Sequence, residues 1–197
     1  AFNSNIIKET LRLNQIDYKD NAIEVLSIGK KGGDILSKSI DLKGRHDDIF
    51  DDLNFENAEP LADLIMQSYK EKEYSKIILV YNRFKNAATQ IVTVDNFLPV
   101  EKISAGTEIK NFDTFFEPSE MEILKSLIPK SLKVKFYKSL RDSFASEHGA
   151  RMTAMHKATD NATELRDELK LTYNKARQAS ITNEILEIVG GAEALSN

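Results

Sequence analysis

The residues with the chemistry to form a reactive site are few and scattered. The chain has three histidines, His46, His148 and His156, and no cysteine, so there is no disulfide frame and no thiolate to act as nucleophile or metal ligand. The histidines are too far apart in sequence to read as a metal-ligand set, and no metal is expected. The run Gly29-Lys30-Lys31-Gly32-Gly33 invites a phosphate-loop reading, but it lacks the Gly-Lys-Ser/Thr ending and the full spacing. A plain strand-to-helix turn is the better account. The acidic cluster of Asp47, Asp48, Asp51 and Asp52 with Glu56 has the charge to attract a cation, yet reads more simply as a solvated helix face. No triad or paired acid/base arrangement is present. On chemistry alone the chain reads as non-enzymatic, with no catalytic residue and no cofactor.

Composition narrows the class. Among 197 residues, 41 % are hydrophobic and 29 % charged, which is ordinary for a globular protein. A net charge of −4 argues against a nucleic-acid partner, whose binders are usually basic. No apolar run approaches the roughly eighteen residues that a membrane span needs. The first residue is Ala1 and not Met, so the chain is expected to be processed or part of a longer one.

The first half alternates helix and strand. Asn3 to about Asp17 is amphipathic, with Ile6, Ile7, Leu11, Leu13 and Ile16 on one side. Asn21–Ile28 reads as a short apolar strand, succeeded by short helical pieces at Asp34–Ser39 and Asp47–Leu53. Pro60 suits a first helical turn, with Leu61, Leu64, Ile65 and Tyr69 at helical spacing. Lys76–Phe84 reads as a buried strand, Asn86–Ala88 as a turn and Thr89–Val94 as a half-buried strand. These elements suggest a Rossmann-like, doubly wound sheet with an antiparallel edge. Lys102–Thr114, with Gly106 and no clear period, reads as a loop. Pro118 opens a helix at about Ser119–Leu127, and Pro129 is expected to separate it from a second, much longer helix.

From Ser131 the pattern changes. Phe144, His148, Arg151, Met155, Ala158, Ala162, Leu165, Leu169, Thr172, Ala176, Ala179, Asn183 and Leu186 keep an unbroken 4–3 spacing, the a/d seam of a coiled coil. One helix is therefore expected from about Ser131 to beyond Ile188, roughly 100 Å at 1.5 Å per residue, with Gly149 as the place for a bend. The seam is rich in alanine and carries an arginine and an asparagine, so it permits close approach but buries little area. It asks for a partner helix. The fold class is α/β, a partial sheet followed by a very long coiled-coil helix, with domains at 1–117 and 118–197.

Several stretches of the long helix resemble a known family. Ser146-Glu147-His148-Gly149-Ala150-Arg151-Met152-Thr153-Ala154-Met155, Ala158-Thr159-Asp160-Asn161-Ala162, Tyr173 to Thr182, and Glu187-Ile188-Val189-Gly190-Gly191-Ala192 are similar to the gamma subunit of F-type ATP synthase. Ala1-Phe2-Asn3, Tyr81-Asn82-Arg83-Phe84 and Phe116-Glu117-Pro118 extend the likeness over the whole chain, and the absence of a long insertion resembles bacterial members. The resemblance implies a non-catalytic rotor shaft that transmits torque between a membrane rotor ring of c subunits and a hexamer of alpha and beta subunits during proton-driven ATP synthesis. It places Arg177, Gln178 and Thr182 at contacts with the catalytic subunits, Arg151 in coupling along the shaft, and Phe116 and Glu117 at the foot, against the rotor ring and the epsilon subunit. It implies a peripheral position on the cytoplasmic face of the bacterial plasma membrane. The family's N-terminal helix and first strand have no counterpart here, and Gly149 stands where the family usually has Ala. The uncovered seam is therefore expected to make this chain self-associate. Without the resemblance, Arg177 and Gln178 are an ordinary solvated face. Two other classes remain open at this point: an α/β interaction protein that dimerises through a coiled-coil arm, and a nucleotide-dependent enzyme built on the Rossmann-like half.

Overall fold

The computed structural model describes residues 2–19, 21–100 and 117–196. The chain forms two compact units, Ala1–Ala150 and Arg151–Asn197. In the first, helix α1 (Phe2–Arg12) continues into a π-helical turn over Leu13–Asp17. Strand β1 (Val25–Ile28), helix α2 (Lys30–Leu36) and strand β2 (Leu42–His46) come next, and a 3-10 turn over Asp48–Phe50 leads to helix α3 (Phe55–Lys70). Strands β3 (Ile77–Asn86) and β4 (Thr89–Leu98) form a hairpin, and helix α4 runs from Glu120 to Ser196. The expected loop at Lys102–Thr114 lies outside the described residues.

The α/β class and the partial sheet followed by a very long helix hold, but the sheet consists of two ladders. β1 pairs in parallel with β2, placing Ser27 opposite Arg45 and Ile28 opposite His46. β3 pairs with β4 antiparallel, from Ile77 opposite Leu98 to Asn86 opposite Thr89. Among the described residues no strand joins the two pairs. β3 is accordingly half-buried over Ile77–Tyr81 and exposed from Arg83, and is not the fully buried strand that its apolar run suggested. The hairpin closes where the Asn86 side-chain oxygen accepts from the backbone N–H of Ala88 (3.1 Å) and Thr89 (2.7 Å), an asparagine satisfying the turn from its own side chain. β2 has no counterpart among the elements expected from sequence. Its inward positions are Leu42, Gly44 and His46, and only the first is a strong apolar signal.

Two helix boundaries differ from expectation for one physical reason. Pro60 lies inside α3, which starts at Phe55 because Asn54 caps it, its side chain accepting from Asn57 N at 2.7 Å. Pro129 lies inside α4, which starts at Glu120 and continues past the proline. A proline removes one backbone bond from a helix and leaves one carbonyl open. Pro60 and Glu56, whose carbonyl that proline leaves open, are exposed, as is the chain around Pro129, so water can satisfy the open carbonyl and the helix continues.

The core gathers Ala58, Leu61 and Ala62 of α3, Phe97 and Leu98 of β4, and Leu132, Phe136 and Leu140 of α4. Phe136 is 1 % exposed and its ring lies 6.2 Å from that of Phe97. The root of α4 therefore belongs to the α/β unit as much as the strands do. Higher on the root, the Ser146 hydroxyl donates to the Asn82 carbonyl at 3.0 Å, with both residues buried. Gly149 is packed against the hairpin turn. A Cβ built there would stand 3.2 Å from Ala87 Cα, 3.2 Å from Ala87 O and 3.3 Å from the Phe84 ring. The hairpin turn sits on the bare face of the helix at this glycine. Phe144, the first residue of the 4–3 seam, stacks on Phe50 at 6.2 Å and meets the His148 ring at 4.5 Å.

In the second unit every described side chain from Arg151 to Ala192 is exposed except Asn174, which is half-buried. Met155, Leu165, Leu169 and Leu186 of the seam are each more than half exposed. From Arg151 to Leu186 this stripe is roughly 50 Å long at helical rise.

Two outcomes are expected. Gly149→Val should lower stability by about 1–3 kcal/mol, because a branched side chain would meet the backbone of Ala87. Thermal melts reading an unchanged midpoint would show that the hairpin turn yields freely. The bare stripe should drive concentration-dependent self-association of the chain, weak because alanine dominates the seam. Light scattering that finds a monomer at high protein concentration would contradict this.

Candidate functional site

The glycine run at the end of β1 is explained by packing. Gly29 has φ +100°, and a Cβ there would lie 3.1 Å from the Phe50 ring. Its N–H bonds to His46 O at 2.9 Å, which fastens the turn to β2. A Cβ at Gly33 would meet Arg45 Nε at 3.0 Å and Ser27 Oγ at 3.1 Å. The glycines thus make a tight β1-to-α2 turn and let Arg45 cross α2, where its guanidinium pairs with Asp34 (2.8 Å) and Asp47 (2.8 Å). The Asp34 carboxyl is held below its ordinary range chiefly by the hydrogen bond from Arg45.

Two members of the acidic cluster are likewise spent on local structure. Asp47 takes Arg45, while Asp52 accepts from the side chains of Asn54 (3.1 Å) and Asn57 (3.1 Å) at the start of α3. No group of histidine and acid residues suited to a metal ion occurs among the described residues. A second polar cluster ties β2 to the exit of α3. Lys43 donates to Glu73 and Tyr74, pairs with Glu24 at 3.2 Å, and Tyr74 donates to Glu24. The hydrogen bonds to Glu73 and then Tyr74 raise the Lys43 pKa, so this clamp stays charged throughout the neutral range.

The remaining candidates are on α4. Arg177, Gln178 and Thr182 are exposed in the second unit. Gln178 and Thr182 lie four residues apart on one face, and the Thr182 hydroxyl donates to Gln178 O at 2.9 Å. That bond holds the hydroxyl against its own helix, and its lone pairs still face outward. Arg177 is about 100° round the helix from Gln178, so it and the Gln178–Thr182 pair look in different directions. Arg151 is the first residue of the second unit and is exposed. Glu117 is exposed, three residues before α4 begins, with Ser119 O accepting the first helical N–H from Ile123 at 3.0 Å. Phe116 lies outside the described residues. Within the second unit Arg151, Arg177, Gln178 and Thr182 each stand exposed on the helix surface. What the second unit offers is a long exposed helical surface, apolar along one stripe and dotted with single polar groups, suited to contact with other proteins and not to enclosing a small molecule.

Sequence reasoning missed the stripe by which α4 joins the domain. The buried positions are Leu132, Phe136, Ser139, Leu140, Ser146 and Gly149, and Ser146 lies about 200° round the helix from Phe144, where the 4–3 seam begins. The signal was present, since Leu132, Phe136, Ser139 and Leu140 repeat at helical spacing. It is masked by the lysines and tyrosine between them.

Comparisons with known proteins are consistent over the whole chain. A family model described as ATP synthase matches residues 1–195. The ATP synthase gamma chain of Christiangramia forsetii is 62 % identical over 196 residues, covering 100 % of this chain and 68 % of that protein. The gamma chain of Flavobacterium johnsoniae is 60 % identical over 197 residues, with the same coverage of 100 % and 68 %. In the cryo-EM structure of the Tetrahymena thermophila mitochondrial ATP synthase central stalk and c-ring, one chain is 27 % identical, with a TM-score of 0.61 over 80 % of this chain and 69 % of that one. No described helix is long and apolar enough to cross a membrane. A helical arm with an exposed seam and matches that run from one end of the sequence to the other lead to one conclusion: this chain belongs to the family of ATP synthase gamma chains.

Proposed function

We propose that this chain is the central-stalk rotor subunit of an F-type ATP synthase. In this reading 1–117 forms the foot and 118–197 the shaft. The foot rides on the membrane rotor ring of c subunits and contacts the epsilon subunit, with Phe116 and Glu117 at those contacts. The shaft turns inside the hexamer of alpha and beta subunits. The complex sits on the cytoplasmic face of a bacterial plasma membrane, and this chain is its peripheral, non-catalytic part. The beta subunits carry the ATP chemistry, so no cofactor or metal is assigned here.

The observation that carries the reading is the unbroken helix Glu120–Ser196, within a chain that the family model matches from end to end. A rotor shaft needs a stiff element whose surface is polar only at chosen points. Arg177 suits such a point, because a guanidinium forms paired, charge-assisted hydrogen bonds with a carboxylate of a neighbouring subunit. Gln178 and Thr182 offer further donors and acceptors on a separate face, so the two sets can engage different subunits at one angle of rotation. Arg151 is assigned to coupling lower on the shaft. The apolar stretch Ile181–Val189 suits a low-friction bearing at the tip.

The test is Arg177→Ala with Gln178→Ala in a reconstituted complex. Loss of a charge-assisted hydrogen bond corresponds to about 1.5–3 kcal/mol, so coupling of ATP hydrolysis to proton pumping should fall roughly tenfold or more. The helix content of the chain itself should not change, because both side chains are exposed on α4. Unaltered synthesis and hydrolysis in the double variant would mean that these residues are inert surface.

A further inference from the structure

The root of α4 is fastened in a way that a helix held only for stability does not need. Leu132, Phe136 and Ser139 form its buried stripe. On one flank, Lys133 Nζ donates to Glu59 Oε1 and to Asp63 Oδ2 of α3, both at 2.8 Å. On the other, Lys135 Nζ donates to Asn96 O at 2.8 Å and to Asp95 Oδ1 at 3.2 Å, both on β4. Two residues are about 200° of helical turn, so the two lysines leave the helix on nearly opposite sides. Measured round the axis from Lys133, Phe136, Leu132 and Ser139 fall at about 60°, 100° and 120°, and Lys135 at about 160°. The apolar stripe therefore lies between the two ties.

We propose that Lys133 and Lys135 are positioning residues that lock α4 against rolling about its own axis, each resisting one sense of rotation, and so set the stiffness with which torque passes between the foot and the helix. This rests on the rotor reading above. An apolar stripe resists withdrawal of a helix but yields to a small roll, because side-chain contacts are non-directional and re-form as they slide. A lysine tied to fixed acceptors on one flank lengthens when the helix rolls away from that flank. A tie on the opposite flank lengthens for the opposite roll. Lys133 is the firmer of the two. Its side chain is 17 % exposed against 38 % for Lys135, and it holds two carboxylates spaced one turn apart on α3. Asp63 and then Glu59 raise its pKa, so it stays charged at any neutral pH. Ser146 on Asn82 O and Gly149 on the hairpin turn pin the root a second time, at the level of β3.

The experiment uses full-length gamma chain in reconstituted ATP synthase, with Lys133→Met and Lys135→Met made singly. Torque transmitted through single complexes is read by magnetic-bead rotation in both senses, alongside the melting midpoint of each chain. Each variant should lose at least about half of its torsional stiffness in one sense and much less in the other, with the weak sense reversed between the two variants. Midpoints should move little. Lys133→Glu combined with Glu59→Lys and Asp63→Lys should restore stiffness toward that of the unaltered chain. Equal losses in both senses, no loss, or a collapse of the melting midpoint would each overturn the proposal. If complexes holding the unaltered chain do not rotate at all, the rotor reading itself fails, and this proposal with it.

Discussion

A helix of this length has to be covered somewhere, and the covering at its root is the contact on which the rest of the first unit depends. An isolated helix in water is only marginally stable, because each hydrogen bond formed barely offsets the backbone entropy lost. At Leu132, Phe136 and Leu140 the helix enters the same core as Leu61 and Ala62 of α3 and Phe97 of β4. Truncating a buried phenylalanine such as Phe136 costs about 3–5 kcal/mol, a large part of the roughly 5–15 kcal/mol by which a domain is stable. The small α/β unit needs the helix as a wall of its core. Among the described residues the buried side of the helix lies between Leu132 and Gly149.

The second pair of contacts explains why small residues stand high on the root. Ser146 gives the Asn82 carbonyl a partner where water is excluded, which a buried acceptor requires. Gly149 removes the side chain that would hold the β3–β4 turn away. The hairpin can therefore lie close against the helix, and the one described ladder that is long on both strands becomes a brace for the helix. The two-ladder sheet is too small to build such a brace by itself, since a lone hairpin is marginal in water.

Much of this was legible in the sequence, for reasons that can be named. The long helix is written in a 4–3 spacing that no strand or loop would keep, and so the α/β-plus-arm class followed directly. The β3–β4 hairpin followed from apolar runs on either side of Asn86-Ala87-Ala88. β2 did not, because Lys43, Gly44 and Arg45 hide its alternation; their reason lies in the distant Glu73, Asp34 and Leu26. Nor did the continuation through Pro129, which depends on solvent reaching the open carbonyl, a tertiary fact. The seam drew attention away from the neighbouring stripe of Leu132, Phe136, Leu140 and Ser146, although those residues bind α4 to the domain. Arg177, Gln178 and Thr182 carry no local signal of function at all. As exposed polar residues on a helix they look like any solvated face, and the contacts proposed for them rest on the resemblance to a family alone.

The central claim is that α4 is held by its root and stays uncovered beyond it. Native-state hydrogen exchange on the chain, at a concentration low enough to keep it monomeric, reads this most directly. Amides from Leu132 to Ser146 should exchange only with unfolding of the whole first unit, while those from Met155 to Leu186 should exchange at least about a hundredfold faster through local fraying. Equal protection along the helix would contradict the account, because it would mean that the exposed half carries its own stability and owes nothing to the contacts at Phe136 and Ser146.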